Sequence, residues 1–294
     1  MFPILRMCQI LDVSENGYYH WCKRGKSQRK RDDEQLTERI EDAYYTNRGH
    51  YGSPRIHAEL KAQGLLCSRK RVARLMQAKQ LSARKRKRKP RTTNSQHGFP
   101  LAPNLLEQDF TAEAPNTKWV SDFTYIETRE GWLYLAGVLD VYSRRIVGWS
   151  MSEQHDTSFV KAALQMALLQ RKPGAGLVHH SDRGSEYAST SYQMLLREHN
   201  IQASMSKKGD CYDNSMIESF WATLKKECAE TSIFASRSEA RRTIFEYIEV
   251  YYHRKRRHSS LDYLVQLSMK NKKQRQMIII LDESLLSMIK FTYT

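Results

Sequence analysis

No apolar run in the 294 residues approaches the roughly 18 that a membrane-spanning helix needs, so no membrane role is expected. Cysteine is scarce too. The five present, at positions 8, 22, 67, 211 and 228, are odd in number and form no CxxC pair. That argues against a disulfide framework or a zinc site and points to a reducing, cytoplasmic setting. The opening "MFPILRMCQILDVSENG" has no charged n-region, clean apolar h-region or small-residue cleavage site, so no secretory signal is read. Acidic residues are the remaining shortage: 32 Asp and Glu face 48 Lys and Arg, a formal charge of +16.

The excess of positive charge is concentrated. Residues 1–100 hold 23 Lys/Arg against 9 Asp/Glu, whereas residues 101–294 hold 25 against 23. A basic first third joined to a near-neutral remainder predicts a polyanionic partner for that third. Within it, residues 1–30 read as a helical segment carrying Tyr18, Tyr19 and Trp21. Residues 36–83 read as a helix-turn-helix. Its first helix is expected to be capped by Ser53, to begin at Pro54 and to end at Gly64. Ser68 then caps a second helix with Val72, Leu75 and Met76 inward and Arg69, Lys70, Arg71 and Arg74 outward, as a basic recognition helix. "RKRKRKPR" (84–91) opens a basic linker spanning 84–110, suited to tracking phosphates.

From about residue 115 strands alternate with helices. "TKWVSDFTYIET", "WLYLAGVLD" and "RRIVGWSMS" read as an antiparallel meander turning at "REG". Next come the helix "TSFVKAALQMALLQ", the apolar strand "GLVHHSD", the helix "TSYQMLLREHN" and the strand "IQASMS". Two long helices close the series, "SMIESFWATLKKE" and "SRSEARRTIFEYIEVYYHRK". This order predicts an α/β class, a ribonuclease H-like mixed sheet with helices on both faces, preceded by a small all-α helix-turn-helix region.

Three acids stand out against that frame. Asp122 interrupts the first strand, Asp182 ends the strand "LVHHSD", and Glu218 follows on a later helix with 35 residues between it and Asp182. Sites in open sheets gather at the carboxyl ends of strands. Two aspartates and a glutamate are hard oxygen ligands suited to Mg²⁺, with Mn²⁺ as a substitute. A pair of such ions can hold the attacking and leaving oxygens of a phosphodiester. Asp140 reads instead as a turn residue near Trp119, paired with Arg144 or Arg145.

"WVSDFTYIETREGWLYLAGVLDVYSRRIVGWSM", "HHSDRGSEY", "SMSKKGDCYDNSMIESFWATLKKE" and "YYHRKRRHSSLDYL" together resemble the second-frame transposases of the insertion sequence three family, from about residue 8 to 264. The resemblance implies a retroviral-integrase-like catalytic core over 111–264. It implies that Asp122, Asp182 and Glu218 form a DDE triad, acting as catalytic and metal-ligating residues. It also implies that Lys225, seven residues after Glu218, contacts DNA. The activity implied is Mg²⁺-dependent DNA cleavage and strand transfer at element ends and target DNA. A homo-oligomer on DNA is expected, with an upstream-frame protein as fusion or partner. A ribonuclease H-type nuclease and an inert DNA-binding remnant are the alternatives; the first shares the triad, the second only the affinity. The chain departs from the family after "SSLDYL", where residues 265–294 form an atypical tail, and a frameshift or foreign junction is the expected cause.

Overall fold

The structure, a computed structural model, describes residues 3–83, 99–207, 211–228 and 233–266. The arm 84–91 and the tail beyond residue 266 lie outside the described residues. The chain divides into two compact units, Met1–Lys85 and Arg86–Thr294.

The first unit is all helical: α1 (Ile4–Ile10), α2 (Glu15–Lys23), α3 (Gln28–Thr46), α4 (Ser53–Ala62) and α5 (Arg69–Ala78). Leu36, Ile40 and Ala43 of α3 recur at helical spacing. They pack against Ile56 and Leu60 of α4 and Val72, Leu75 and Met76 of α5 in one core. Ser68 caps α5, its Oγ accepting from Arg71 N at 3.2 Å. Gly52 rather than Ser53 occupies the capping position of α4, and Ser53 joins Pro54 in the first turn. The helix stops at Ala62, and Gly64 turns the chain with φ +82°, a conformation that glycine adopts without strain.

The second unit is built on a five-stranded sheet in the order β3–β2–β1–β4–β5. Its strands are β1 (Lys118–Thr128), β2 (Gly131–Asp140), β3 (Ile146–Ser152), β4 (Val178–Ser181) and β5 (Gln202–Met205). The first three strands form the antiparallel meander; β1, β4 and β5 run parallel. These senses and this order are those of the ribonuclease H-like fold. On one face Val120, Ile126, Leu133, Leu135 and Leu139 meet α9 (Ser215–Cys228) and α10 (Arg237–Phe245). On the other, Trp119, Ala136, Val138 and Val147 meet α6 (Thr157–Arg171) and α8 (Thr190–Glu198). Gly148 makes the second face possible: a Cβ there would lie 2.1 Å from the Ala163 carbonyl of α6. A short α7 (Ser185–Ala188) links β4 to α8.

Two further readings are corrected. The last long helix does not run unbroken: after α10 the chain widens into π-type turns over Glu246–Tyr252, where Tyr247, Ile248 and Tyr252 all turn inward. Asp140 is fully buried at the end of β2 and pairs with Arg144 and Arg145 through its backbone, while its carboxylate accepts from backbone and hydroxyl donors. Oδ1 accepts from Asn116 N at 2.9 Å; Oδ2 accepts from Ser143 N at 3.0 Å and Ser143 Oγ at 2.5 Å. Its cross-strand partner is Trp119, as the hairpin geometry predicts.

Candidate active site

Alternation along β1 places Asp122 on the face of Val120 and Ile126, the face that α9 covers. Asp122 is half-buried there, and Trp221 Nε1 of α9 donates to its Oδ2 at 3.1 Å. The close approach of that indole depends on Gly137, the cross-strand partner of Asp122. A Cβ at Gly137 would come within 2.8 Å of the Trp221 ring. Glu218 precedes Trp221 by three positions, so the two are neighbours on the helix surface. The start of α9 is pinned to the same strand by Asn214 Nδ2, which donates to the Ser121 carbonyl at 3.1 Å.

Asp182 arrives from β4. That strand pairs with β1 in parallel as far as Ser121 opposite Ser181, so Asp122 and Asp182 are the next residues on two adjacent strands. Neighbouring strands lie about 4.8 Å apart. Gly184 N donates to Asp182 Oδ1 at 2.9 Å and orients the carboxylate in a tight turn. Glu186, mostly buried in α7, adds a further carboxylate: the Asp182 and Glu186 oxygens both lie 3.0 Å from where a Gly184 Cβ would sit. His155 Nε2 is 3.2 Å from Glu186 Oε1.

Tyr187 closes this side. Its hydroxyl is buried and finds no hydrogen-bond partner among the described residues. Burial, then Tyr192 and the charges of Asp122, Asp182 and Glu186, push its pKa far above the usual tyrosine value. Among the described residues no three His, Cys, Asp or Glu side chains are gathered to hold a metal ion. The donor chemistry nevertheless suits a hard divalent cation, because Asp122, Asp182 and Glu218 offer carboxylate oxygens alone. The Tyr187 hydroxyl, within electrostatic reach of both aspartates, also has no polar partner among the described residues.

The strands leading to the acids carry buried histidines. His179 Nε2 lies 2.7 Å from Ser121 Oγ and 3.1 Å from Tyr192 Oη; His180 lies 2.8 Å from Ser204 Oγ and 3.2 Å from Ser206 Oγ. Burial, reinforced by His180, pushes the His179 pKa down to about 3. An unfolded histidine takes up its proton near 6.5. Above that pH both states hold the neutral ring and stability does not depend on it. As pH falls from about 6.5 towards 3, only the unfolded state is protonated, and stability drops by up to about 1.4 kcal/mol per pH unit. The thermal midpoint is therefore expected to fall through this window. His179→Asn should lower the midpoint at neutral pH and flatten the acid limb. A limb equally steep in the variant would assign it to other groups.

Lys225, one turn of α9 beyond Trp221, sets its Nζ 4.6 Å from the centre of the Tyr125 ring on β1. The basic residues of α5 are placed less simply than their sequence suggests. Arg69 and Lys70 are exposed. Arg71 Nε and Arg74 Nη2 instead donate to Asp33 of α3 at 2.6 and 2.7 Å. Hydrogen bonds from Arg74 and then Arg71 hold the Asp33 carboxyl below its ordinary pKa. Sequence reasoning did not single out Trp221, Glu186, Tyr187 or Asp33 as site residues. The spacing of Trp221 from Glu218 was the one local signal available.

Residues 112–211 match the family model of the integrase core domain, residues 199–265 a second integrase core domain model, and residues 30–89 an HTH-like domain. The uncharacterized 31 kDa protein of insertion element IS600 from Shigella sonnei is 46% identical over 255 residues, covering 87% of this chain and 94% of that one. Transposase InsF for insertion sequence IS3A of Escherichia coli K12 is 44% identical over 260 residues, covering 88% and 90%. Among solved structures, an HTLV-2 integrase catalytic core domain in complex with magnesium is 12% identical, with a TM-score of 0.38 over 53% of this chain and 96% of that one. A chain of a simian T-cell lymphotropic virus intasome is 16% identical, with a TM-score of 0.41 over 72% and 69%.

Proposed function

This chain belongs to the IS3 family of insertion-sequence transposases, and we propose that it cuts and joins DNA through Asp122, Asp182 and Glu218. The observation that carries this reading is the placement of Asp122 and Asp182 at adjacent positions of parallel strands, with α9 held onto Asp122 through Trp221. Bound Mg²⁺, or Mn²⁺ in its place, would supply Lewis-acid activation of the phosphodiester and neutralise charge on the attacking and leaving oxygens. Asp122 and Asp182 would offer ligand oxygens from the sheet and Glu218 from the helix. The indole of Trp221 and the amide of Gly184 fix the orientation of the two aspartates. In strand transfer the 3′-hydroxyl of an element end attacks a target phosphorus. A new P–O bond forms as the target's own P–O ester bond breaks, releasing a target 3′-hydroxyl, and the attacking hydroxyl's proton leaves to solvent. The direct test is Mg²⁺-dependent joining of a labelled element end taken from the DNA flanking this gene. Nicked products without joined ones would indicate a nuclease, and gel shifts alone an inert remnant.

DNA held by the first unit and the arm 84–91 completes the reading. Each phosphate contact gives a log–log salt slope of about −0.9 on duplex DNA. Deleting residues 84–91 is expected to flatten the slope without changing which sequences are preferred. Arg69 and Lys70 are the residues free to reach base edges, so alanine at either should change preference as well. Arg71→Ala should act differently, because Arg71 spends its Nε on Asp33 and is half-buried: the thermal midpoint falls more than sequence preference changes. Equal loss of preference in all three variants would return Arg71 to the DNA surface. The oligomer on DNA and the upstream-frame partner belong to the same proposal, and sedimentation of the protein with and without element-end DNA tests the first.

A further inference from the structure

Two large aromatic side chains stand exposed on the β1–β2 hairpin beyond the acids. Tyr125 and Trp132 are 43% and 46% exposed, while Trp119 of the same sheet is fully buried. The register pairs Tyr125 with Tyr134 and Glu127 with Trp132, so Tyr125 and Trp132 are diagonal neighbours on one face of the ribbon. Their rings meet edge to face, with centroids 5.0 Å apart and planes at 80°. Lys225 reaches the pair from α9, placing its ammonium over the Tyr125 ring. The β1–β4 ladder ends at Ser121, so between Asp122 and Glu127 no described strand pairs with that edge of β1.

Exposed ring faces beside a cation are the chemistry that takes up unpaired nucleotides: bases stack on the rings while the cation meets the phosphate. Charge orders the surface further. Glu127 lies exposed directly across from Trp132, and would repel a phosphate at that end. Glu130, at the turn, accepts from Arg237 N at 2.8 Å. A nucleotide would therefore set its phosphate on the Lys225 side with its base against Trp132. Tyr125 is three residues along the strand from Asp122, roughly 10 Å or about three base-pair rises of 3.4 Å, and alternation sets it on the other face, so a DNA strand would reach it over the edge of β1 that no described strand pairs with between Asp122 and Glu127.

The geometry points to Tyr125, Trp132 and Lys225 as a binding site for an unpaired nucleobase within about three nucleotides of the reacting phosphate. This inference rests on the reading of the chain as acting on DNA ends. It adds that the end is held with its terminal pairs opened. Opening a pair costs a few kcal/mol, and stacking on the platform offsets part of that cost.

The test compares a short blunt duplex with the same duplex carrying a single-stranded thymidine tail, both binding to the full-length protein. Trp132→Ala is expected to weaken binding of the tailed duplex by about 5- to 150-fold, the range for loss of one base–aromatic stack. Binding of the blunt duplex should weaken several-fold less, because opening its end uses up part of the stacking free energy. Trp132→Tyr, which keeps an aromatic face, should restore most of the affinity and shows that the hairpin still folds. A 2-aminopurine in the tail should be quenched by the wild-type protein and not by Trp132→Ala. Equal losses on both DNAs, no loss on either, or no quenching would each overturn the platform. If the wild-type protein joins element ends yet shows no tail-selective loss, the platform alone fails. Trp132-dependent binding of tailed DNA without any joining would uphold the platform and sink the proposed chemistry.

Discussion

Replacing Asp122, Asp182 or Glu218 by its amide should abolish cleavage and joining while leaving the fold in place. Loss of even an outer partner of a metal ligand costs about 10- to 100-fold, so loss of a ligand charge should exceed that. Folding should survive because the amides at the two aspartates can keep the hydrogen bonds shown there. In Asp122→Asn the remaining side-chain oxygen can still accept from the Trp221 indole, and in Asp182→Asn it can still accept from Gly184 N. Glu218 is only half-buried. Asp140→Asn separates this outcome from a general structural defect. Both oxygens of Asp140 accept hydrogen bonds in a fully buried site, and an amide would turn an NH₂ towards an N–H donor. Leaving such a group unpaired costs about 1–3 kcal/mol, so Asp140→Asn should lower the thermal midpoint, with activity falling only as the folded fraction falls. Near-wild-type joining by any of the first three variants would remove that residue from the site. An inactive but fully folded Asp140→Asn protein would add a fourth acid to it.

The sheet was legible because its signals are local. A turn at "REG" between two alternating apolar segments sets the β1–β2 register, and the register brings Asp140 opposite Trp119. The stripe Ile217, Trp221 and Leu224 likewise announces the buried side of α9. Hydrophobic period locates Asp122 in a strand and Glu218 on a helix, but it carries no information about long-range polar partners. The indole that holds Asp122 is 99 residues away in sequence, and Asp33 is 38 and 41 residues from the arginines it engages. An outward position on a helical wheel therefore named Arg71 and Arg74 as DNA readers without showing the carboxylate already beside them. The Asp140 carboxylate was misread for a related reason. A carboxylate near two arginines invites an ion pair, whereas the tight turn after β2 offers backbone donors first. The π-type turns after α10 had no sequence signature of their own, since "TIFEYIEVYY" fits an ordinary amphipathic helix equally well.

Breaking the Glu227–Arg256 pair is expected to be the most damaging change outside the site. The two side chains are 3% and 5% exposed. Arg256 Nε and Nη2 donate to the Glu227 carboxylate at 2.8 Å each, and the Tyr247 hydroxyl donates to it at 2.9 Å. Burial alone would lower the pKa of Arg256; the Glu227 hydrogen bonds and charge outweigh it and hold the guanidinium firmly charged. Removing one partner strands the other charge in the core, at a cost of about 3–5 kcal/mol. For a unit of this size each kcal/mol shifts the midpoint by about 2–4 °C, so Arg256→Met or Glu227→Leu should lower it by roughly 6–20 °C. The double variant should recover much of the loss, because replacing a buried pair by apolar side chains of similar volume is often neutral. Activity supplies a second readout. Glu227 lies on α9 with Glu218, and Arg256 follows the π-type turns, so the pair ties the helix bearing one proposed ligand to the segment after those turns. If the pair serves position as well as stability, the double variant regains its midpoint but not its joining rate. Single variants that melt within about 2 °C of the wild type would show that the pair contributes nothing the surrounding packing does not already provide.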